Sequence, residues 1–307
     1  MIWIALILAA VLAFALHYGY KLAFFYEDPQ ASPYAYGQEE QILSCKETLD
    51  AAIAAFEKEP YESVSITSHD GLKLAARYYH VADNGPLEIH CHGYKGNAVR
   101  DFCGAWQIAR ENGHNVLLID QRCHGKSEGH TITFGIQEQR DVVAWIRYAN
   151  GRFGAVPVLL CGVSMGAATV LMVSGRDDLS ENVKGIVADC PYDAPSNIIR
   201  KVLGQDMGMP VPVVYPLIRL GGRVYGGFDL NADSPAEAVK RGKVPILLIH
   251  GDDDRFVPYE MSRKIHSCAP EKIRFHTVPG AGHALNYVKD PETYRRVVKE
   301  FTENVMK

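Results

Sequence analysis

The sequence has 307 residues, of which 47% are apolar and 22% are charged. This is the balance of a globular protein that buries a substantial core. The formal net charge is −4, and no cluster of lysine and arginine offsets the repulsion from phosphate, so a nucleic-acid partner is not expected. The seven cysteines include no CxxC pair, which argues against a disulfide framework or a zinc ribbon. Free cysteines favour a reducing, cytoplasmic environment.

The amino-terminal residues form an apolar segment. Ile2 to Leu16 are fifteen consecutive apolar residues, and the apolar character resumes from Lys21 to Phe25. The segment therefore approaches the ~20 residues that a bilayer helix needs. We predict that residues 1–25 form an uncleaved, single-pass membrane anchor. Because the first cation, Lys21, follows the run, the rest of the chain is expected on the cytoplasmic side.

Two alternatives are open for this segment. A secretory signal peptide would end near the small residues Ala13-Phe14-Ala15, and the protein would then be secreted. No lysine or arginine precedes the apolar run, which argues against a signal peptide because such peptides usually begin with a basic region. The second alternative is a helix that packs on a soluble domain.

Residues 26–62 are predicted to be a linker followed by a helix. Glu27 to Gly37 contains two prolines and two acidic residues, a composition typical of a linker. Apolar residues at helical spacing then predict an amphipathic helix over Gln38–Lys58. Ser63–Ser68 and Leu72–His80 flank an Asp-Gly turn and are predicted to form a β-hairpin.

Beyond the hairpin, apolar strands alternate with helices. The predicted strands are Leu87–Cys91, Asn115–Asp120, Pro157–Gly162, Val183–Asp189, Val244–His250 and Lys272–Val278. The predicted helices are Ala98–Asn112, Gln137–Asn150, Met165–Ser174, Tyr259–Ala269 and Pro291–Val305. Strands that are apolar almost throughout, interleaved with helices, predict a mostly parallel sheet covered on both faces. With the hairpin, this α/β domain over 63–307 has eight strands.

One interval breaks the alternation. Pro191 to Lys243 separates two predicted strands by about fifty residues, far more than an ordinary connection. We predict that 191–243 forms a small lid over the carboxyl ends of the strands. Its apolar residues either line a ligand site or form the core of the lid, and we favour the core; they include Tyr215, Leu217, Ile218 and Tyr225.

The pentapeptide Gly162-Val163-Ser164-Met165-Gly166 carries the strongest chemical signal. It follows a predicted strand and opens a predicted helix, the context in which a serine on a tight turn acts as a nucleophile. The glycines permit close approach of the backbone, and the amino terminus of the helix offers N–H groups and positive dipole. We predict that Ser164 is the nucleophile.

A serine hydroxyl needs an adjacent base. His283 follows the last predicted strand in a glycine-rich loop. The chain order of serine, aspartate and histidine is the order found in α/β folds that carry the serine on a strand-to-helix turn. We therefore predict that His283 is the general base, although a lone histidine is more often a surface residue. An acid that orients the imidazole is expected after the preceding strand. Asp252, Asp253 and Asp254 are all candidates, and spacing alone does not choose among them.

An oxyanion needs backbone N–H donors as well. The residue after the nucleophile, Met165, is predicted to supply one. The second donor is expected in the turn after the third strand, His92-Gly93-Tyr94-Lys95, and we predict the backbone N–H of Tyr94.

Other ligand chemistry finds little support. His90 and His92 point to the same face of a strand, but no carboxylate or third histidine lies at ligand spacing, so no metal is expected. The patterns G-x-G-x-x-G and G-x-x-x-x-G-K-[ST] are absent from the sequence, so no nucleotide cofactor is predicted. Arg122 and His124 lie in a polar turn and are expected to stabilise it rather than line the site.

These motifs together resemble the α/β-hydrolase superfamily, in particular its bacterial esterase- and peptidase-like hydrolases. The resemblance covers about Ser63 to Val305. Its motifs recur in the order His92-Gly93-Tyr94, Asp120-x-Arg122-x-His124-Gly125-x-Ser127, Gly162-x-Ser164-x-Gly166, His250-Gly251-x-x-Asp254-x-x-Val257-Pro258 and Gly282-His283. The resemblance implies the α/β-hydrolase fold, Asp254 as the acid, and Tyr94 and Met165 as the oxyanion donors. The His-Gly-Gly-Gly signature of some lipases is missing, which argues against close kinship with those enzymes.

From these features we predict a serine hydrolase that cleaves small-molecule carboxylic esters or related acyl substrates through an acyl-enzyme on Ser164. Thioesters and peptides are alternative substrates, and acyl transfer or haloperoxidase-like chemistry is an alternative reaction. A membrane-tethered binding protein without catalysis is the alternative from another class, because a fold alone does not prove activity.

Overall fold

The computed structural model of the protein describes residues 2–27 and 40–306. Its centre is an eight-stranded sheet in the order β1-β2-β4-β3-β5-β6-β7-β8. The strands are β1 (Glu62–Thr67), β2 (Lys73–Tyr79), β3 (Leu87–Cys91), β4 (Asn115–Ile119), β5 (Val158–Val163), β6 (Val183–Asp189), β7 (Ile246–Gly251) and β8 (Ile273–Val278). β2 runs antiparallel to β1 and β4, and the other neighbouring strands are parallel. The predicted mostly parallel sheet is confirmed.

Helices precede the sheet, cover its faces and fill the long interval before β7. They are α1 (Ile2–Ala23), α2 (Glu40–Ser44), α3 (Lys46–Phe56), α4 (Ala98–Glu111), α5 (Glu138–Phe153), α6 (Met165–Ser174), α7 (Pro195–Lys201), α8 (Val211–Tyr225), α9 (Pro235–Arg241), α10 (Tyr259–Cys268), α11 (Asn286–Lys289) and α12 (Pro291–Val305). A five-residue π-helix, Val202–Asp206, continues α7.

The central strands are buried on both faces, which explains their continuous apolar sequences. Every residue of β3, β4, β5 and β7 is buried, as expected for parallel strands with helices on each side. Residues of α5, α6, α9 and α10 form the core on one face. Residues of α3, α4 and α12 form the core on the other.

The strand order reverses between β3 and β5. These strands pair in parallel, with Cys91 opposite Gly162, while β4 lies beyond β3 and β6 beyond β5. In open α/β sheets, ligands bind outside the carboxyl ends of the strands at such a reversal. The turn after β3 and the turn that carries Ser164 are therefore neighbours at the expected place for a site.

The structure corrects the prediction of one helix over Gln38–Lys58. The structure has two helices there, α2 and α3, interrupted at Cys45, so the prediction of one continuous helix is wrong. The two pieces dock on different partners. Phe56 of α3 is buried and stacks on Trp106 of α4, whereas α2 bonds to loops at the carboxyl edge of the sheet. Residues 28–37 of the predicted linker and residues 38 and 39 of the predicted helix lie outside the described residues.

The interval predicted to be a lid contains α7, the π-helix, α8 and α9. α9 belongs to the layer that covers the sheet, because Ala236 and Val239 are part of that core. Residues 195–225, which contain α7, the π-helix and α8, form the lid segment. Apolar residues of the lid segment share a third cluster with Tyr20 and Phe24, at the end of α1.

Candidate active site

Ser164 sits on a strained turn between β5 and α6. Its backbone has φ 54° and ψ −115°, in the left-handed half of conformational space that residues other than glycine rarely adopt. The two glycines of the motif make this turn possible. A Cβ on Gly166 would lie 1.8 Å from the carbonyl oxygen of Cys91, and one on Gly162 would lie 2.4 Å from the Gly166 backbone. The turn therefore requires glycine at both positions and holds the serine at the sheet edge.

The structure brings the predicted nucleophile, base and acid into one hydrogen-bonded row. His283 Nε2 lies 2.9 Å from Ser164 Oγ, and His283 Nδ1 lies 2.7 Å from Asp254 Oδ2. All three residues are buried. Ser164 and His283 are thus within the distance at which a proton passes from hydroxyl to imidazole. Asp254 is within hydrogen-bond distance of the other imidazole nitrogen.

Of the three candidate acids, only Asp254 is seen to contact His283. Its other oxygen, Oδ1, accepts hydrogen bonds from the backbone N–H groups of Phe256 at 3.0 Å and Val257 at 2.8 Å. Asp252 instead accepts from the N–H of Gly280 at 2.6 Å. Asp253 accepts from the Gln41 amide at 2.8 Å. The path of the chain after β7 thus directs three adjacent carboxylates to different partners.

The pKa values of the row are shifted in directions that suit a base and its acid. Burial by itself would raise the pKa of Asp254, but positive charge and hydrogen bonds from His283 and His250 hold that pKa well below its usual range. Burial lowers the pKa of His283, and the Asp254 carboxylate more than reverses this, so the pKa is raised above its ordinary value. A charged Asp254 beside His283 favours the imidazolium that forms when serine loses its proton.

A second histidine supports the acid, and sequence reasoning assigned it no role. His250 Nε2 lies 3.1 Å from Asp254 Oδ2 and 3.0 Å from the Val257 carbonyl oxygen. A carbonyl oxygen only accepts, so Nε2 carries a proton, and Nδ1 lies 2.6 Å from the Ser262 hydroxyl, which can donate or accept. His250 therefore fixes the orientation of the carboxylate. The only available signal was its place at the head of the His-Gly-x-x-Asp motif.

Gln41 of α2 joins the acid loop to the histidine loop. Its Nε2 donates to Asp253 Oδ2 at 2.8 Å, and its Oε1 accepts from the backbone N–H of Gly282 at 2.8 Å. Gly282 directly precedes His283, so this amide helps to fix the position of the imidazole. Sequence reasoning missed Gln41, because nothing in a single sequence indicates a contact between residues more than two hundred positions apart.

The predicted oxyanion donors lie on the two neighbouring turns. Met165 is the first residue of α6, and the first N–H groups of a helix have no partner within that helix. On the other side, the backbone N–H groups that flank Tyr94 are engaged. Gly93 donates to Asp101 Oδ2 at 2.8 Å, and Lys95 donates to His124 Nε2 at 3.0 Å. These bonds fix the conformation of the turn that carries Tyr94.

Arg122 and His124 hold turns together. His124 Nδ1 lies 2.8 Å from the Arg122 carbonyl oxygen, so Nδ1 donates and Nε2 is left to accept from Lys95. Burial lowers the pKa of His124 to about 3, which keeps the ring neutral. The Arg122 guanidinium makes two bonds to Asp141, of 2.6 and 2.8 Å. Their contacts agree with the expectation that these side chains stabilise the turn.

His90 and His92 bond to separate protein groups. His90 Nε2 lies 2.8 Å from Glu88, and its ring stacks on Phe102 with centroids 4.4 Å apart. His92 Nδ1 donates to the Gly93 carbonyl oxygen at 2.8 Å, and its Nε2 accepts from the Gln121 N–H at 3.1 Å. Both nitrogens of His92 are therefore occupied by backbone groups, so His90 and His92 do not share a metal ion. The expectation that no carboxylate lies at ligand spacing is wrong, because ligand atoms of Glu88, His90 and Cys161 lie within 4.8 Å of one another.

An apolar cavity of about 200 Å³ opens beside Ser164. Its lining includes Leu22, Ala23, Tyr94, Phe134, Tyr192, Ile198, Ile199, Val202, Leu203, Met207, Ile218 and Phe256. Of the apolar lid residues considered above, Ile218 lines this cavity. Tyr215 is buried and donates its hydroxyl to Asn231 at 3.0 Å. The lid segment therefore supplies both a cavity wall and a small core of its own.

α1 has the length and composition of a membrane-spanning helix. It has 22 residues and a mean hydropathy of 2.2 over its most apolar window, of which 11% is buried. The low burial argues against a helix that packs along its whole length on a soluble domain. A signal sequence has the same length and composition, so the anchor and its topology stay predictions.

Comparisons with known proteins agree with this architecture. A model of the alpha/beta hydrolase family matches residues 89–297. The uncharacterized protein YqkD of Bacillus subtilis is 28% identical over 232 residues, which cover 74% of this chain and 75% of YqkD. Lysophosphatidylserine lipase ABHD12 of Rattus norvegicus is 25% identical over 244 residues, which cover 72% of this chain and 56% of that protein. The Pyrococcus furiosus esterase Pf2001 has a similar fold, with TM-score 0.66 and 22% identity over 81% of this chain and 93% of the esterase.

Proposed function

This chain belongs to the alpha/beta hydrolase family, and we propose that it is a serine hydrolase that cleaves carboxylic esters with an apolar acyl chain. The observation that carries the proposal is the row of 2.9 and 2.7 Å contacts from Ser164 through His283 to Asp254. The strained turn under Ser164 adds support, because strain of this kind collects at functional sites.

The proposed reaction has two halves. Ser164 Oγ attacks the ester carbonyl carbon while His283 Nε2 accepts the hydroxyl proton, and the N–H groups of Tyr94 and Met165 bind the oxyanion. The bond to the alcohol oxygen breaks as His283 returns the proton to that oxygen, which leaves an acyl group on Ser164. Water then loses a proton to His283 and attacks the acyl carbonyl carbon. The bond to Ser164 Oγ breaks as His283 returns that proton to Oγ, which releases the acid. Asp254 stays ionised and stabilises the imidazolium in both halves.

The acyl preference follows from the surroundings of Ser164. The cavity beside it is lined mainly by aliphatic and aromatic side chains, which favour an alkyl chain because each buried methylene contributes about 0.8 kcal/mol. The similarity to a protein named lysophosphatidylserine lipase supports acyl esters of lipid type. An acyl thioester carries the same alkyl chain and stays an alternative substrate, whereas a peptide gains no comparable support from the cavity.

The test compares the full chain with Ser164→Ala and with Ser267→Ala, an exposed serine on α10. We expect a fluorophosphonate probe to label the wild type and Ser267→Ala but not Ser164→Ala. Hydrolysis of p-nitrophenyl esters should fall by up to about 10⁶-fold in Ser164→Ala, as when a nucleophilic serine is removed from a hydrolase. A folded wild type that is neither labelled nor active on any ester of the series would contradict the proposal.

A further inference from the structure

The carboxyl end of α1 forms part of the wall of the cavity beside Ser164. Leu22 and Ala23 both line that cavity. Phe24, which follows directly, is fully buried and packs edge-on against Phe134 and Phe228, with ring centroids 6.1 and 5.0 Å apart. The segment that has the character of a membrane helix is thus built into the candidate acyl site.

α1 also lies against α8 of the lid segment, in an antiparallel arrangement. A Cβ on Gly221 of α8 would lie 2.5 Å from the carbonyl oxygen of Leu16. Four residues further along α8, the Tyr225 hydroxyl donates to the Ala13 carbonyl oxygen at 3.3 Å. A glycine at the contact lets two helix backbones approach closely, as in the interfaces of membrane helices. α8 therefore accompanies the inner part of α1 toward its amino end.

The length of α1 fixes where α8 lies if α1 crosses a bilayer. Residues 2–14 are exposed, and this part is about 20 Å long at 1.5 Å per residue. The hydrocarbon core of a bilayer is about 30 Å thick, so the exposed part is too short to cross it. The whole helix, Ile2–Ala23, is about 33 Å long. A crossing of about 30 Å takes about 20 residues of α1, so it includes the residues that contact α8. The carboxyl-terminal end of α8, which reaches Ala13 of α1, then lies within the bilayer beside α1.

The outward face of α8 is suited to that position. Leu220 and Val224, in the half of α8 that runs along α1, are 41% and 59% exposed and lie four residues apart on one helix face. Arg223, on the same half, pairs with Asp229. Single exposed apolar residues are ordinary on a protein surface, but this stripe lies on the helix that packs beside α1. On α1 itself, Tyr18 and Lys21 are exposed near the same level, and such side chains are enriched where a membrane helix meets water.

We propose that the carboxyl-terminal end of α8 enters the bilayer beside α1, and that the enzyme takes a membrane-borne ester with its acyl chain directly into the cavity walled by the end of α1. The inference rests on the serine hydrolase function proposed above. Its substrate class is an amphiphile whose acyl chain leaves the bilayer for the cavity while the ester carbonyl reaches Ser164. Hydrolysis by water then releases the fatty acid and the headgroup alcohol.

The first test uses the full chain in phosphatidylcholine vesicles and compares Ala23→Trp with Leu8→Trp, a matched change on the exposed part of α1. The readout is the ratio of kcat/KM for p-nitrophenyl dodecanoate to kcat/KM for p-nitrophenyl acetate. In Ala23→Trp we expect this ratio to fall by about tenfold or more, the loss that follows when two buried methylene groups are excluded. In Leu8→Trp the ratio should equal that of the wild type.

An unchanged ratio in Ala23→Trp would overturn the inference. The proposed function would stand in that case, provided that the fluorophosphonate probe still labels Ser164. A wild type that the probe does not label would overturn both proposals. The two failures are thus distinguishable in one set of samples.

A second test does not depend on activity. The parent for this test is Trp3→Phe, because Trp3 lies on the exposed part of α1 and would itself be quenched in the bilayer. In this parent, whose own emission is subtracted, Leu220→Trp places a tryptophan on the exposed stripe of α8. Glu303→Trp places one on α12, close to where Val305 packs against Gly185 in β6, at the sheet edge opposite Ser164. In vesicles of phosphatidylcholine brominated on its acyl chains, we expect the tryptophan introduced at 220 to be quenched and the one introduced at 303 to be unaffected. Emission from the tryptophan at 220 that brominated lipid leaves unchanged would overturn the placement of the carboxyl-terminal end of α8 in the bilayer.

Discussion

The loops at the carboxyl edge of the sheet and the pair formed by α1 and the lid segment surround the same serine in different ways. The edge loops are held by short polar contacts, such as the 2.8 Å bond from the Val257 N–H to Asp254, and by backbone shapes such as the left-handed Ser164. The α1 and lid side is held by apolar packing, in which Tyr20, Phe24 and Ile218 share one cluster.

This difference separates reactivity from selectivity. Polar contacts have narrow limits of distance and angle, so the groups that would carry the chemistry tolerate little change. Apolar packing depends on volume and shape and tolerates substitutions that conserve them. We therefore expect changes at the edge loops to alter rate by orders of magnitude, and changes at α1 and the lid segment to alter stability and acyl preference by smaller factors.

The largest effect that would sharpen this comparison is expected for Asp254→Asn. The amide leaves His283 without a carboxylate to stabilise its charged form, and kcat should fall by about 10⁴-fold, as in hydrolases with this arrangement. The measurement is hydrolysis of p-nitrophenyl acetate by the full chain. Asp252→Asn is the matched control, because the new amide oxygen still accepts the Gly280 N–H. The fall in kcat of this variant should stay below about tenfold, because Asp252 orients no catalytic group. Equal losses in both variants would argue against Asp254 as the acid.

The pH dependence is the next largest effect. The Asp254 carboxylate raises the pKa of His283, and a protonated imidazole does not accept the serine proton. Activity is therefore present above the raised pKa and is lost as the pH falls through it. We expect the acid limb of kcat/KM to have its midpoint above about 6.5, the ordinary histidine value, with a fall of about tenfold per unit of pH below the midpoint.

The pH profile also has an outcome that would contradict this assignment. It is measured from pH 5 to 9 at constant ionic strength, with the product detected at its isosbestic wavelength. A midpoint well below the ordinary histidine value would mean that the carboxylate does not stabilise the charged imidazole.

The smallest effect concerns two helical glycines in different surroundings. A Cβ at Gly151 of α5 meets nothing within 4 Å, whereas one at Gly221 of α8 would lie 2.5 Å from the Leu16 carbonyl oxygen. Gly151→Ala should stabilise the protein by about 0.5–1 kcal/mol through helix propensity. Gly221→Ala should destabilise it by about 1–3 kcal/mol, because α1 must move away from α8.

This pair is compared by thermal unfolding of the full chain in detergent, with the shift of Tm from wild type as the readout. An increase in Tm of the same size in both variants would show that α1 does not pack closely on α8. In that case, close packing of α1 on the lid segment would not distinguish this side of the site from the edge loops.

The parts of the fold that sequence predicted well are those with local signals. The central strands are apolar throughout because helices cover both faces, and the glycines around Ser164 mark a turn that excludes a Cβ. The residues that were missed act over long separations. Gln41 reaches Asp253 and Gly282 from the other end of the chain, and no local pattern indicates such a partner. For the same reason the sequence left three aspartates open, because only the path of the chain after β7 decides which one faces His283.

The placement of Leu22 and Ala23 in the cavity wall has a consequence for how this enzyme can change in evolution. One helix contributes both to the amino-terminal apolar segment and to the shape of the cavity, so a substitution selected for one property alters the other. A shortened form that begins after α1 is therefore a different enzyme with an open-sided cavity, and its substrate profile would not report that of the full chain. If α1 anchors the protein as proposed, anchoring and acyl preference therefore change together.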